Sequence, residues 1–203
     1  MIKNSDTLLM IFIKNPVKGK VKTRLAKTIG DEKALHVYHK LLEYTQKITS
    51  SISADKMLFY SEFIDSTDAW SSELFYKEVQ TGDVLGERMS SAFQLAFSKN
   101  YKKVIIIGSD CIDLMANHVD EAFKLLQEKD MVIGPAKDGG YYLLGMKTLH
   151  QTLFLNKKWS SSTVYSDTID SVRSLNLSFG VLEELSDIDE EKDLKGKDYL
   201  LEH

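Results

Sequence analysis

Val104-Ile105-Ile106-Ile107-Gly108-Ser109-Asp110-Cys111 is the stretch that decides the fold. Four β-branched apolar residues in a row, with no polar residue among them, fit a parallel strand buried on both faces. In open α/β sheets, ligands sit beyond the carboxyl ends of such strands, and Asp110 stands there. A carboxylate at that place cannot serve as core filler, because burying an unpaired charge costs too much. A divalent metal carrying a nucleotide's phosphates is a partner of the right chemistry. The plainer alternative is an Asp that starts a turn and caps a helix over residues 116–127.

Working outward, the chain alternates apolar runs with helical patterns. Residues 8–13, 56–60, 75–79 and 131–133 read as further strands. Residues 31–52 carry Leu35, Tyr38, Leu41, Leu42, Thr45 and Ile48 on one helical face. Residues 84–97, 119–126 and 163–175 are also helical in pattern. This alternation predicts βαβ units and a mostly parallel sheet. After Asp138-Gly139-Gly140 a strand follows closely on a strand, at residues 141–144, which predicts local antiparallel pairing late in the sheet. Residues 178–182 read as a strand and residues 190–200 as a terminal helix.

Composition sets outer bounds. The 203 residues include 43% hydrophobic and 28% charged residues, ordinary values for a globular protein. No repeat and no Pro- or Ser-rich linker divides the chain, so residues 1–200 are expected to form one domain. Leu201-Glu202-His203 reads as the start of a purification tag. The net charge of −4 argues against nucleic acid as the main partner. No apolar run approaches the ~20 residues of a spanning helix, and no signal segment opens the chain. The one cysteine, Cys111, has no internal disulfide partner, which points to a reducing cytoplasm. The sequence does not report an oligomeric state.

Five constellations carry the chemistry. The loop after the first strand, residues 14–24, holds Lys14, Lys18, Lys20, Lys22 and Arg24 in an otherwise acidic chain. Cations near a helix start make an anion site, and Gly19 would let backbone approach a phosphate. The GxxxxGK[ST] spacing of a P-loop is absent, and a solvated basic loop remains the alternative. At a second strand-to-helix junction, Gln80, Gly82, Gly86 and Arg88 could border a ligand, or Asp83 could simply cap the helix. Asp110 forms the third. Gly134-Pro135-Ala136-Lys137-Asp138-Gly139-Gly140 is both a turn signal and a place where Asp138 could face a site. Asp187-Ile188-Asp189-Glu190 could supply the second carboxylate that a hard cation needs, or could start a helix with Asp189 as its cap.

Together these motifs resemble the bacterial GT-A-type, nucleotide-diphospho-sugar-transferase-like proteins catalogued as a domain of unknown function. Those are related to the molybdenum-cofactor nucleotidyltransferases and phospholactate guanylyltransferase. The resemblance runs from Lys14 to Asp193. It rests on Lys14, Pro16, Gly19, Lys22, Thr23, Arg24 and Leu25; on Gln80, Gly82, Leu85, Gly86, Arg88 and Met89; and on Gly108 to Cys111. Gly134, Pro135, Asp138 to Tyr141, Trp159-Ser160 and Asp187 to Asp189 complete it. Two positions depart from the pattern: Ile112 stands where Pro is usual, and Asp83 is followed by Val84 rather than Leu-Gly. Neither removes a charged site residue.

The resemblance implies a three-layer α/β/α sandwich with a mixed, mostly parallel sheet. It also implies a metal-dependent transferase using a nucleotide-activated donor, foremost a nucleotide sugar, with an unknown acceptor. Mg²⁺ or Mn²⁺ would be held by Asp110 with Asp189 or Asp187, Asp189 being preferred. One of that pair is expected to face the metal and the other to cap the helix starting near Glu190. Lys22 and Arg24, with Lys14, would hold the phosphates; Gly19, Gln80, Gly86 and Arg88 would border the nucleotide. Asp138 would orient or deprotonate the acceptor, with Tyr141, Tyr142 and Trp159 as a platform. A nucleotidyltransferase, using a nucleoside triphosphate and releasing pyrophosphate, and a non-catalytic nucleotide-binding module are the alternatives.

Overall fold

The structure, a computed structural model, describes residues 5–202. Of the tag-like terminus, His203 therefore lies outside the described residues. β4 (Lys103–Ile107) is buried on both faces, as its uninterrupted apolar run requires. Ile105 and Ile107 enter one core; Val104 and Ile106 enter another. Beside it and parallel, β1 (Thr7–Ile13) divides in the same way, with Leu9, Ile11 and Ile13 on one side and Leu8 and Met10 on the other. Side chains alternate across a strand, so an all-apolar strand must be covered twice.

Both faces are covered. The first core is closed by α1 (Thr23–Ile29), α2 (Asp31–Ser50) and α4 (Ala116–Glu128). The second is closed by α3 (Leu85–Ser98) and α5 (Val164–Ser174). In the second, Phe93 of α3 is fully buried with its ring 5.9 Å from that of Phe154. Truncating such a ring to Ala costs roughly 3–5 kcal/mol. The result is the expected three-layer α/β/α sandwich.

Among the described residues seven strands form the sheet. With β2 (Asp55–Tyr60), β3 (Tyr76–Val79), β5 (Met131–Pro135), β6 (Tyr141–Met146) and β7 (Phe179–Val181), the order is β3-β2-β1-β4-β6-β5-β7. The β1–β2, β1–β4, β2–β3 and β5–β7 pairs are parallel. Only β6 runs against its neighbours, pairing antiparallel with both β4 and β5. This is the late antiparallel element that the Asp-Gly-Gly turn signalled. Among the described residues no helix is long and apolar enough to cross a membrane.

Two local expectations and two capping alternatives need correction. The seven-residue α1 was not expected, because residues 14–24 read as loop and the segment is too short to show a helical period. The terminal helix over residues 190–200 is instead two short 3-10 turns, Glu191–Leu194 and Asp198–Leu200. Gly196, at φ 77°, sits between them in the left-handed region, which breaks a right-handed helix. Finally, neither Asp83 nor Asp110 caps a helix. Val84 and Met115 occupy those cap positions, with the His118 ring accepting the Met115 N–H.

Candidate functional site

The carboxyl ends of β1 and β4 lie side by side, Ile11 opposite Ile107. The loops leaving them open a cleft of about 570 Å³ beyond the sheet edge. Lys14 and Arg24 line it on the β1 side, Asp110 at its middle, Asp138 and Tyr141 on the β6 side. Lys22 joins Lys14, Arg24, Asp110 and Asp189 in an adjoining recess. The cations and acids nominated by the sequence therefore converge.

Lys22 sits at the centre of the charge arrangement. Its backbone adopts φ 46° and ψ 42° just before α1. A non-glycine residue held in that region costs roughly 1–3 kcal/mol and persists where its surroundings fix it. The fixing contacts are ionic. The Lys22 side chain is only 3% exposed, and its Nζ lies 2.6 Å from Asp110 Oδ1 and 3.3 Å from Asp189 Oδ1. Arg24 pairs with the other oxygen of Asp189. Burial by itself would lower the Lys22 pKa, but Asp110, Asp189 and Asp187 together outweigh it and hold the ammonium above its ordinary value.

The C-terminal segment reaches Asp110 through the main chain: Ile188 N–H donates to the Asp110 carbonyl at 2.9 Å. Ile188 is fully buried in the first core. Residues two apart in an extended segment share a side. Asp187 and Asp189 therefore both face the cleft, and the expectation that one of them caps a helix fails. Glu190 is the cap residue, and Asp193 Oδ2 accepts the N–H groups of Asp189 (3.0 Å) and Glu190 (2.8 Å).

The two aspartates differ in their partners. Asp189 is already held by two cations. Asp187 makes no hydrogen bond or ion pair with any described residue. Burial first, then the charge of Asp110, push its pKa up to about 7; Lys22 opposes this, and Asp189 and Asp138 add to it. It is a carboxylate short of positive charge.

The other nominated residues divide into cleft and scaffold. Gln80 lines the cleft, yet its amide is committed: Nε2 donates to Ile13 O (3.0 Å) and Phe59 O (3.1 Å), while Arg88 Nη1 donates to Oε1. Arg88 Nε also donates to Gly82 O at 2.9 Å. This pair braces the ends of β1, β2 and β3, and Arg88 does not line the cleft. A Cβ on Gly86 would lie 2.6 Å from the Trp159 indole, so the glycine seats Trp159 against α3. Gly19, at φ 78°, shapes the basic loop without lining the cleft.

Sequence reasoning missed Tyr38, Asn15 and the two serines that follow the Trp159-Ser160 motif. Tyr38 read as helix core, but its hydroxyl accepts the Lys14 N–H (2.8 Å), donates to Lys14 O (3.1 Å) and lies 3.3 Å from Ser109 Oγ. It ties the β1 and β4 loops together. Buried Asn15 fixes the chain after β2, accepting the Glu62 N–H at 2.9 Å and donating to Phe63 O at 2.8 Å. The serines at 160–162 line the cleft beside Trp159. Their loop packs on Gly139, where φ is 88° and a Cβ would lie 2.0 Å from Ser162 O. No spacing rule links Tyr38, Asn15, Ser161 or Ser162 to a site; only the tertiary contact reveals them.

The donor set fits a hard divalent cation that completes its shell with substrate oxygens. Among the described residues no three acids, histidines or cysteines converge closely enough to form a metal site alone. Mg²⁺ usually takes one or two carboxylates and fills its remaining positions with phosphate and water. Asp110 and the unpartnered Asp187 are two such carboxylates. Cys111, also in the cleft wall, is a poor ligand because burial pushes its thiol up to about 12.

Residues 44–161 match the family described as "Uncharacterized protein conserved in bacteria (DUF2064)". A protein of Desulfovibrio desulfuricans G20, assigned provisionally as a nucleotide-diphospho-sugar transferase, has the same fold with TM-score 0.87. It is 29% identical, and the match covers 97% of each chain. The inositol-1-phosphate CTP transferase of T. maritima shares the fold at TM-score 0.58 and 13% identity, over 96% of this chain and 94% of that one. The 2-phospho-L-lactate guanylyltransferase of Methanocaldococcus vulcanius is 23% identical over 142 residues, 70% of this chain. The match spans 62% of that relative's length.

Proposed function

The chain belongs to the bacterial DUF2064 family, and from that premise and its cleft we propose a metal-dependent transferase that uses a nucleotide-activated donor. The observation that carries this reading is the placement of Lys22 between Asp110 and Asp189, beside unpartnered Asp187, at the carboxyl ends of β1 and β4. Cations and acids alternate there within one recess, the charge pattern a metal–diphosphate pair requires.

In this reading Lys14, Lys22 and Arg24 hold the donor's phosphates, Arg24 through its planar fork and the lysines as point charges. Asp189 holds Lys22 and Arg24 in position. Asp110 and Asp187 would hold Mg²⁺ or Mn²⁺, which when bound would neutralise charge on the leaving phosphate. Asp187 takes precedence over Asp189 because it alone lacks a cation. Asp138 Oδ1 accepts the Gly140 N–H at 2.8 Å, which orients its carboxylate at the cleft wall to take the acceptor's proton. For a nucleotide sugar, the acceptor oxygen bonds to the anomeric carbon, its proton passes to Asp138, and the bond from that carbon to the phosphate oxygen breaks. Nucleoside diphosphate leaves.

The likeness to a guanylyltransferase supports a second reading, nucleotidyl transfer from a nucleoside triphosphate with release of pyrophosphate. One experiment separates the two. The protein is incubated with Mn²⁺ and either nucleotide sugars or nucleoside triphosphates, and products are resolved by ion-exchange chromatography. Nucleoside diphosphate marks glycosyl transfer and pyrophosphate marks nucleotidyl transfer. Saturable binding with neither product from any donor would leave a binding module and overturn the proposal.

A further inference from the structure

We propose that the acceptor is an uncharged, hydroxyl-bearing molecule, of the sugar or polyol class, and not a phosphate ester. This rests on the reading of the cleft as a transferase site, and it follows from how charge is divided between the two halves. Among the described residues, the cations that line the cleft and its recess, Lys14, Lys22 and Arg24, all belong to the β1–α1 side. The other side is built by the β5–β6 turn and the segment before α5. It presents Asp138, Tyr141, Trp159 and the serines at 160–162, with no lysine or arginine.

The nearest cations in sequence lie outside the cleft lining: Lys137, next to Asp138 on the β5–β6 turn, is exposed and does not line the cleft. Lys157 Nζ is committed to Asp167 O (2.8 Å) and Ser171 Oγ (3.1 Å), and Lys158 is exposed and does not line the cleft. A phosphorylated acceptor would bring its dianion beside Asp138 with no cleft-lining cation on that side to meet it. Like-charge juxtaposition is how sites reject wrong partners. The donor's own phosphates use the cations of the β1 side, so none is left over.

What the acceptor half does offer suits hydroxyls. Trp159 is only partly buried and its indole is wedged against Gly86, a rigid apolar face. Ser160, at φ 62°, makes no hydrogen bond within the described residues, unlike Ser161, whose hydroxyl donates to Lys158 O at 2.7 Å. Asp138 keeps one oxygen uncommitted after accepting the Gly140 N–H. The Tyr142 hydroxyl is already spent on Glu183 O at 3.0 Å. An apolar face with a free hydroxyl and a carboxylate beside it recognises a neutral ring or chain bearing hydroxyls.

The test uses three matched pairs: methyl hexopyranoside against hexose 6-phosphate, inositol against inositol 1-phosphate, and glycerol against glycerol 3-phosphate. Each is titrated in Mn²⁺ and saturating nucleoside diphosphate, following tryptophan emission. Trp70, buried against Phe75, supplies a constant background. At least one neutral member should give a saturable response, with its phosphate at least about tenfold weaker, the effect of one like-charge contact. Trp159→Phe should shrink that response. Asp138→Asn keeps the Gly140 contact and should narrow the gap between pair members. A phosphate that binds tighter than its neutral partner, or no saturable response in any pair, overturns the proposal. Nucleoside diphosphate binding is measured first in the same sample, so loss of the donor reading shows separately.

Discussion

Replacing Asp187 by Asn should stabilise the metal-free protein, and by an amount that depends on pH. In the folded chain the Asp187 carboxyl titrates at about 7, raised by burial and by Asp110; unfolded, it titrates near ~3.9. A raised carboxyl contributes its stability fully below about pH 4 and loses it as pH climbs to about 7. Three units at 1.36 kcal/mol each set a ceiling of roughly 4 kcal/mol. Relaxation of the charged side chain towards water or Lys22 brings the expected gain to ~1–3 kcal/mol above pH 7. Asn has nearly the same shape and no charge to lose. For a chain of this size, each 1 kcal/mol moves Tm by roughly 2–4 °C. The assay is thermal unfolding of both proteins in EDTA across pH 4 to 9. The two curves should meet near the acid end, diverge through neutrality and run parallel above it. Curves that run parallel throughout, or an Asn variant less stable at pH 8, would refute the reasoning.

Other substitutions follow from the same contacts. Asp110→Asn should stay folded by circular dichroism but lose the effect of Mn²⁺ on nucleotide affinity in calorimetry. Arg24→Ala and Lys22→Ala should weaken nucleoside di- and triphosphates about ten- to a hundred-fold while leaving nucleosides nearly unchanged, because charge-assisted bonds are worth roughly 1.5–3 kcal/mol. Lys22→Ala should also lower stability by roughly 1–3 kcal/mol in urea unfolding, since Asp110 and Asp189 lose the buried cation between them. Gly86→Ala places a methyl 2.6 Å from the Trp159 indole. It should cost ~1–3 kcal/mol in urea unfolding and shift tryptophan emission as the ring is displaced.

The fold was legible because its decisive signals are local. The apolar run of β4 demands two covering layers, and the Asp-Gly-Gly turn announces antiparallel β6. The site was legible as a collection of charges at strand ends, because sheet topology alone brings Lys22, Asp110 and Asp138 to one edge. What escaped depends on contacts distant in sequence. Tyr38 has the spacing of a core residue and becomes a site strut only because its hydroxyl reaches Lys14 and Ser109. Gln80 and Gly86 have the residue types of a nucleotide border, yet one braces main-chain carbonyls and the other seats an indole. The roles of Asp187 and Asp189 could not be divided from spacing, because both face the cleft and only the positions of Lys22 and Arg24 set them apart.

The most direct measurement is a calorimetric titration of the unmodified protein with a nucleoside diphosphate, once in Mn²⁺ and once in EDTA at the same ionic strength. If Asp110 and Asp187 meet the phosphates through a divalent cation, affinity in Mn²⁺ should exceed that in EDTA by at least about tenfold. Equal affinity in the two titrations would contradict the metal-assisted site.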